Sequence, residues 1–459
     1  MKTLEAIAAE RPGHDPQALR ADAVVPFLTQ MVEPLRQTET LPLFDAFERV
    51  LAQEVVSPVC VPPHDNSAMD GYAFDGSQLR PGEPLTLQPV PGTAFAGRAW
   101  QGHVGPGQCV KIMTGAIMPP GLDTVVPQEL VQTGGDGRIT LAPGLLAAGD
   151  NRRLKGEDLM QGQPALRKGQ RLNPAALGLV ASLGLPTVTV YRRLRVACFS
   201  TGDEILSLGE PPREGAVYDS NRFTVFGLLR RLGCEVLDFG RVGDDPGRLE
   251  ATFRQAAAAA DAIVTSGGVS MGEADHTKAM MQKLAGDDPD SGGGVVFWRI
   301  AMRPGRPMAV GRIPKTSAQK IQEKNASDAT LESATSYEND LTTTALFGLP
   351  GNPVAAMVTF LAFVRPALQR MMGCTAPPPV LLKARSRQAL RKKPGRTEYQ
   401  RGSVSTGPDG TLWVDVAANQ GSGVLRSMVE ANGLVVLHHD QSAVAAGDPV
   451  DVMMFDGVI

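Results

Sequence analysis

From residue 21 to 56 the apolar residues recur at helical spacing, as in Val24, Val25, Phe27, Leu28, Met31, Val32 and Leu35, and residues 44–51 continue the pattern. This predicts core-facing helices. From 57 to about 151 the texture changes to short β-like runs at 85–90, 109–113, 124–131 and 138–141, separated by Gly and Pro, which predicts a small β-rich module. Helical spacing returns at 171–183, with Asn173 placed to cap and Pro174 to open the helix. The chain thus leaves a helical stem (22–56), builds the β module (57–151) and returns to the stem (152–191), while residues 1–21 read as a flexible extension.

From 195 to about 372 the pattern is strand, loop, helix, repeated. Strands are expected at 195–199, 234–239, 261–265, 295–300 and 346–349, and helices at 221–232, 249–260 and 354–371. Such alternation means parallel strands with crossover helices, so the fold class is α/β multidomain with a doubly wound α/β domain at 192–376. After a Pro-rich linker at 377–379, runs at 380–384, 411–416 and 434–437 predict a C-terminal β domain (377–459), and Gly407-Pro408-Asp409-Gly410 predicts a hairpin turn within it. Residues 315–344 are polar and lack apolar period, which predicts a disordered surface insertion. Lengthening a loop from about four to thirty residues costs on the order of 2 kcal/mol of closure entropy.

Composition narrows the function classes. A chain of 459 residues exceeds one ordinary core. Lys plus Arg number 45 against 48 Asp plus Glu, so no basic excess points to nucleic acid. The five cysteines are scattered, without a C-x-x-C pair, which fits neither a zinc site nor a disulfide framework and points to a reducing cytoplasm. No signal-like segment opens the chain, and no apolar run is read as long enough to span a bilayer.

Ligands of an open parallel sheet settle at the carboxyl ends of its strands. Three loops fall there: Ser200-Thr201-Gly202-Asp203-Glu204, the stretch from Ser266-Gly267-Gly268-Val269-Ser270 through Asp275 and His276, and Pro350-Gly351-Asn352-Pro353. The first two combine Gly with Ser or Thr and are either a pair of tight turns or, in the second, a phosphate cradle whose small residues let N–H groups approach. In the third, Asn352 and Pro353 suit a helix start, which also aims free N–H groups at the ligand edge. The acids Asp203, Glu204, Asp244, Asp245 and Asp275 lie on or beside these loops. Converging carboxylates about 4 Å apart repel by about 4 kcal/mol at an effective dielectric near 20, which protonation or a cation would have to relieve; oxygen ligands beside phosphates favour Mg²⁺ as that cation. Arg299, Arg303 and Arg306 offer planar forks for an oxyanion, and Arg396, Arg401 and the Gln420-Gly421-Ser422-Gly423 turn offer further anion contacts.

Together with Asp65-Asn66-Ser67-Ala68-Met69-Asp70-Gly71-Tyr72-Ala73, Met113-Thr114-Gly115-Ala116 and Gly156-Glu157-Asp158, these loops resemble the molybdopterin molybdenumtransferase family from about residue 22 to the end. The resemblance implies Mg-dependent insertion of molybdate into adenylyl-molybdopterin with release of AMP. It implies catalytic roles for Asp70, Thr114, Asp158, Glu204, Asp244 and Asp275, with Glu204, Asp244 and Asp275 on the metal. Substrate contacts carry over to Thr201, Gly202, Asp203, Ser266, Gly267, Gly268, Ser270, Arg299, Arg303, Pro350, Gly351, Asn352, Pro353, Arg401 and Ser422. Arg299 and Arg303 stand where the family often has lysine, which exchanges a point contact for a planar fork. The resemblance further implies a cytoplasmic homodimer with a shared active site, and transient contact with molybdopterin adenylyltransferase and molybdoenzymes. Two alternatives are adenylyl transfer to molybdopterin, which shares the α/β domain, and a non-catalytic scaffold.

Overall fold

A computed structural model of the chain describes residues 3–10, 15, 18–269, 276–286, 293–315, 341–375 and 378–455. Near the N-terminus, helix α1 (Ala21–Met31) turns Val24, Phe27, Leu28 and Met31 into the core. The second predicted helix does not form. Thr38–Pro42 is a strand paired with Thr187–Tyr191, followed by one 3-10 turn at Leu43–Ala46, and Val50 and Leu51 bridge Arg171 and Val190. These long-range backbone pairings override the local apolar period, and Phe44 is left 98% exposed. Residues 1–21 also depart from expectation. Leu4 and Ile7, one turn apart on a helix capped by Thr3, are fully buried, and Leu19–Arg20 pairs with the strand at Gly294–Arg303.

The β module contains β1 (Gly71–Phe74), β2 (Leu85–Ala94), β3 (Gln108–Ile112), β4 (Thr124–Pro127) and β5 (Ile139–Leu141), ordered β4-β1-β3-β2-β5. Helix α2 (Pro174–Ser182) starts as its sequence requires: the Asn173 side chain accepts from Ala176 N, and Pro174 needs no donor. It packs with Leu51, Val188 and Val190, a core separate from that of α1.

The α/β domain runs β6 (Arg195–Thr201), α3 (Ser220–Leu232), β7 (Glu235–Val242), α4 (Pro246–Ala259), β8 (Ala262–Ser266), α5 (His276–Ala285), β9 (Gly294–Arg303), β10 (Pro307–Pro314) and β11 (Thr343–Leu349). Helix α6 (Pro353–Met371) closes it, with a π turn at Phe360–Val364. Strands lie in the order β7-β6-β8-β11-β10-β9. The first four are parallel, with the order reversing between β6 and β8. β9 and β10 are joined by three residues, too few for a crossover, so they pair antiparallel and the sheet is mixed rather than wholly parallel. The period of two is explicit in β6: Val196 and Cys198 face the core of α1, α3 and α6, whereas Ala197 and Phe199 face that of α4 and α5.

At 19 residues α6 is long and apolar enough to cross a membrane, contrary to the sequence reading, but 72% of it is buried inside the fold. It is a core helix. Both ends of the expected insertion are ordered, and the rest of it lies outside the described residues. β10 extends to Pro314, β11 begins at Thr343, and Lys315 N donates to Thr342 O; of the expected insertion, residues 316–340 are not among the described residues.

The C-terminal strands are β12 (Leu382–Ser386), β13 (Thr397–Thr406), β14 (Leu412–Val416), β15 (Gly433–Leu437) and β16 (Pro449–Met454). The Gly407–Gly410 turn joins β13 to β14, with Gly407 N donating to Thr411 O. β13 also pairs with the end of β9 at Met302 and Arg303, which brings the C-terminal domain beside the ligand edge of the α/β sheet.

Candidate functional site

A cleft of about 1180 Å³ opens where β6 and β8 end and the strand order reverses. That is the position at which backbone N–H groups and helix starts of an open α/β sheet converge on a ligand. Thr201, Glu204, Ser266, Gly267, Gly268, Arg303, residues 350–353 and Ser422 all line it. Gly202 and Asp203 lie beside it in the chain but not on its wall. Ser270 and Asp275 lie outside the described residues.

The glycine loop is shaped by positive φ values of 89° at Gly267 and 62° at Gly268. A Cβ on Gly267 would stand 2.4 Å from the Thr201 carbonyl oxygen, and one on Gly268 would stand 2.3 Å from Thr277 Cβ. Behind the loop a buried polar chain holds it in place. Arg222 donates to Asp219, Ser200 Oγ donates to Asp219 Oδ1 at 2.9 Å, and Ser200 Oγ meets Ser266 Oγ at 3.0 Å. Asp219 also caps α3 by accepting from Arg222 N.

Across the cleft, Asn352 occupies the cap position of α6, but its side chain makes no capping bond. The expected cap is replaced because Val354 N donates to the carbonyl of Ser422, tying the C-terminal domain to the helix start. The Asn352 amide is thereby left exposed on the wall. Arg303 and Arg306 flank the β9–β10 turn, line the cleft, and make no side-chain hydrogen bond or ion pair among the described residues. Arg299 does not reach the cleft. It lies four strand positions back from Arg303, roughly 13 Å at about 3.3 Å per residue.

Arg401 is fully buried behind the wall rather than open to the cleft, lining a neighbouring cavity of 260 Å³. It donates to Ser427 Oγ and to the carbonyls of Asn419 and Gly421, and so shapes the turn that presents Ser422. Burial, and then the nearby Arg303 charge, lower its proton affinity. Arg396 lines the cleft while bonded to buried Glu398.

The acids divide. Glu204 is exposed at the cleft, and no hydrogen bond or ion pair among the described residues takes up its carboxylate. Asp203 and Asp244 are paired, Asp244 N donating to Asp203 Oδ1 at 3.0 Å and Asp203 N to Asp244 Oδ2 at 3.3 Å. Among the described residues no group of three His, Cys, Asp or Glu side chains is arranged to hold a metal. Asp70, Thr114 and Asp158 belong to the β module and its neighbourhood and do not line this cleft. Asp70 accepts from Thr114 Oγ1 at 2.6 Å and Thr114 N at 2.7 Å, two bonds that hold its pKa below the ordinary carboxylate value. All five cysteines are free thiols, and burial pushes Cys109, Cys198 and Cys234 up to about 12.

The sequence reading missed the wall formed by Ile205, Val217, Tyr218, Ser220 and Asn221. Its available signal was Asp219, an N-cap residue directly before a helical pattern, which marks Ser220 and Asn221 as a helix start at the ligand edge.

Comparison with known proteins follows the same division of the chain. Residues 17–184 match the MoeA N-terminal region (domain I and II), 197–370 a probable molybdopterin binding domain, and 383–455 the MoeA C-terminal region (domain IV). The chain is 39% identical over 436 residues to the molybdopterin molybdenumtransferase of Haemophilus influenzae, covering 94% of this chain and 98% of that one. It is 35% identical to molybdopterin molybdenumtransferase 2 of Mycobacterium tuberculosis, covering 90% and 94%. A crystal structure of a molybdopterin biosynthesis protein from Pyrococcus horikoshii superposes with a TM-score of 0.66 at 26% identity, covering 96% and 99%.

Proposed function

The chain belongs to the molybdopterin molybdenumtransferase family, a family of transferases in molybdenum cofactor biosynthesis, and on that premise we propose that it inserts molybdate into adenylyl-molybdopterin with release of AMP. The observation that carries this reading is the meeting, in one cleft, of a glycine loop, a helix start and the unpaired Arg303 and Arg306. The loop and residues 350–353 offer N–H groups to the phosphates, and the two guanidinium groups offer planar forks to the tetrahedral oxyanion. Phosphoanhydride cleavage calls for positioning and charge neutralisation more than a covalent intermediate, so no side-chain nucleophile is assigned.

The exposed carboxylate of Glu204 supports Mg²⁺ as the counter-ion of the phosphates, since that ion needs only one or two carboxylates beside phosphate oxygens. Among the described residues nothing takes up the Glu204 carboxylate at the cleft, whereas Asp244 is paired with Asp203 beside the cleft, not on its wall, and keeps one oxygen unbonded. Glu204 and Asp244 would hold the ion, with Asp275 as the third acid of the sequence motif; bound there, Mg²⁺ neutralises phosphate charge.

A cytoplasmic homodimer completes the proposal. The Asp70–Thr114 pair is absent from the cleft of its own chain, which supports a site to which one subunit contributes the β module and the other the α/β domain. Assistance from the C-terminal domain, whose Ser422 carbonyl ties down the α6 start, favours insertion over the adenylyl-transfer alternative. The test mixes protein, Mg²⁺, adenylyl-molybdopterin and molybdate. AMP release that depends on molybdate is expected; pyrophosphate release from ATP and molybdopterin instead would overturn the assignment. Asp70→Asn and Glu204→Gln homodimers should each be inactive. Reassembled together they should recover roughly a quarter of wild-type turnover, because about half the dimers are mixed and each has one intact site. No recovery after proven subunit exchange would reject the shared site.

A further inference from the structure

A further stretch of the cleft lining is of different chemistry from the arginines. Ile205–Leu206 and Val217–Tyr218 form a short parallel ladder whose apolar surface faces the opening, with Val217 60% and Tyr218 44% exposed although both line the cleft. The Tyr218 ring is anchored at its far end, where its hydroxyl donates to the Glu210 carbonyl at 2.8 Å. At the foot of the ladder stands Asn221, only 9% exposed, in the first turn of α3. Its Nδ2 donates to the Gly351 carbonyl at 2.7 Å, which fixes the amide's orientation, while its Oδ1 has no hydrogen-bond partner among the described residues. A buried acceptor left unmade is costly, and the group that relieves it must be an N–H or O–H donor. A phosphate oxygen cannot serve, so this wall asks for a different part of the ligand from the glycine loop.

We infer that the Tyr218–Val217 face and Asn221 form a subsite for a flat nitrogen heterocycle, stacked on the tyrosine ring and giving an N–H to Asn221 Oδ1. The inference rests on the cleft's proposed role, since an adenylylated pterin carries two such rings, the adenine and the pterin, and both bear an amino group. Stacking supplies affinity without reading sequence or substituent, and the amide oxygen adds the choice of a ring with a donor.

Titration calorimetry with AMP, with 6-hydroxymethylpterin and with pyrophosphate separates the possibilities. In Tyr218→Ala one heterocycle should bind about tenfold more weakly, the lower part of the range for a base stacked on an aromatic side chain, while pyrophosphate binding is unchanged. Tyr218→Phe should retain the affinity because it keeps the ring. Asn221→Ser, checked for a wild-type melting curve, should weaken the same heterocycle. Loss confined to AMP places the adenine here, and loss confined to the pterin places that ring here. If pyrophosphate binds but neither heterocycle responds to Tyr218→Ala, the subsite is wrong and the phosphate cradle stands. If pyrophosphate and both heterocycles fail to bind wild-type protein, the cleft reading falls and this one with it.

Discussion

Replacing Gly267 by alanine puts the glycine-loop reasoning under direct strain. Gly267 has φ of 89°, a region that costs a residue with a side chain roughly 1–2 kcal/mol. The new methyl would also stand 2.4 Å from the carbonyl oxygen of Thr201. That oxygen belongs to β6, paired on one side with β7 and on the other with β8, so it cannot retreat without disturbing the sheet. Overpacking of this kind adds typically about 1–3 kcal/mol, for a total of roughly 3 kcal/mol. In a domain of this size that lowers the melting temperature by about 6–12 °C. Two controls separate the contributions. Gly240 has φ of 77° with nothing within 4 Å of an added Cβ, so Gly240→Ala should show the backbone cost alone. Gly351 has no positive φ and 4.0 Å of clearance, so Gly351→Ala should melt within about 2 °C of wild type while its methyl, projecting at the cleft wall, weakens pyrophosphate binding. Thermal unfolding by circular dichroism and calorimetric titration are the assays. A Gly267→Ala protein that melts with the wild type and binds normally would refute the claim that the loop's shape requires glycine.

Thr114→Val removes the hydroxyl bond to Asp70 and leaves the backbone one, so the Asp70 pKa should rise toward its ordinary value, as read by carbon NMR titration. Because the folded pKa is depressed, the associated stability is present above the unfolded pKa and lost as pH falls through the folded one; the variant should therefore be the less stable at pH 7 and converge on the wild type in acid, and a difference that appears only in acid would contradict the assignment. Exchanging residues 316–340 for a short Gly-Ser turn should leave the melting temperature and AMP release unchanged, since Pro314 already pairs with Thr343 and Lys315 N already donates to Thr342 O; a large drop in melting temperature would show that the segment contributes to the fold.

Local chemistry made much of this protein legible in advance. Strand β6 was readable because its residues are apolar on both faces, as a buried parallel strand demands. The start of α2 followed from Asn173-Pro174, and the β13–β14 hairpin from Gly407-Pro408-Asp409-Gly410, since each signal acts within a few residues. The alternation of elements gave the order in which loops meet the ligand edge, and with it Thr201, Ser266, Gly267, Gly268 and residues 350–353 of the cleft.

What the sequence determined by itself, then, were elements and loops whose causes are short-range: side-chain period, capping residues and turn residues. Tertiary structure decided whatever depended on a distant partner. Residues 44–51 lost their helix to backbone pairing with Arg171 and Val190, and Leu4 and Ile7 entered the core although two apolar residues make no visible pattern. Arg306 rather than Arg299 joined Arg303 at the cleft because a hairpin turn, not sequence proximity to the motif, sets which guanidinium faces it. Arg401 became a buried brace because the Asn419–Ser422 turn of its own domain folds back over it, and Asn352 was released from capping because the same turn reaches across to the α/β domain. A residue type states which bonds it can make; only the folded chain decides which partner is within reach to make them.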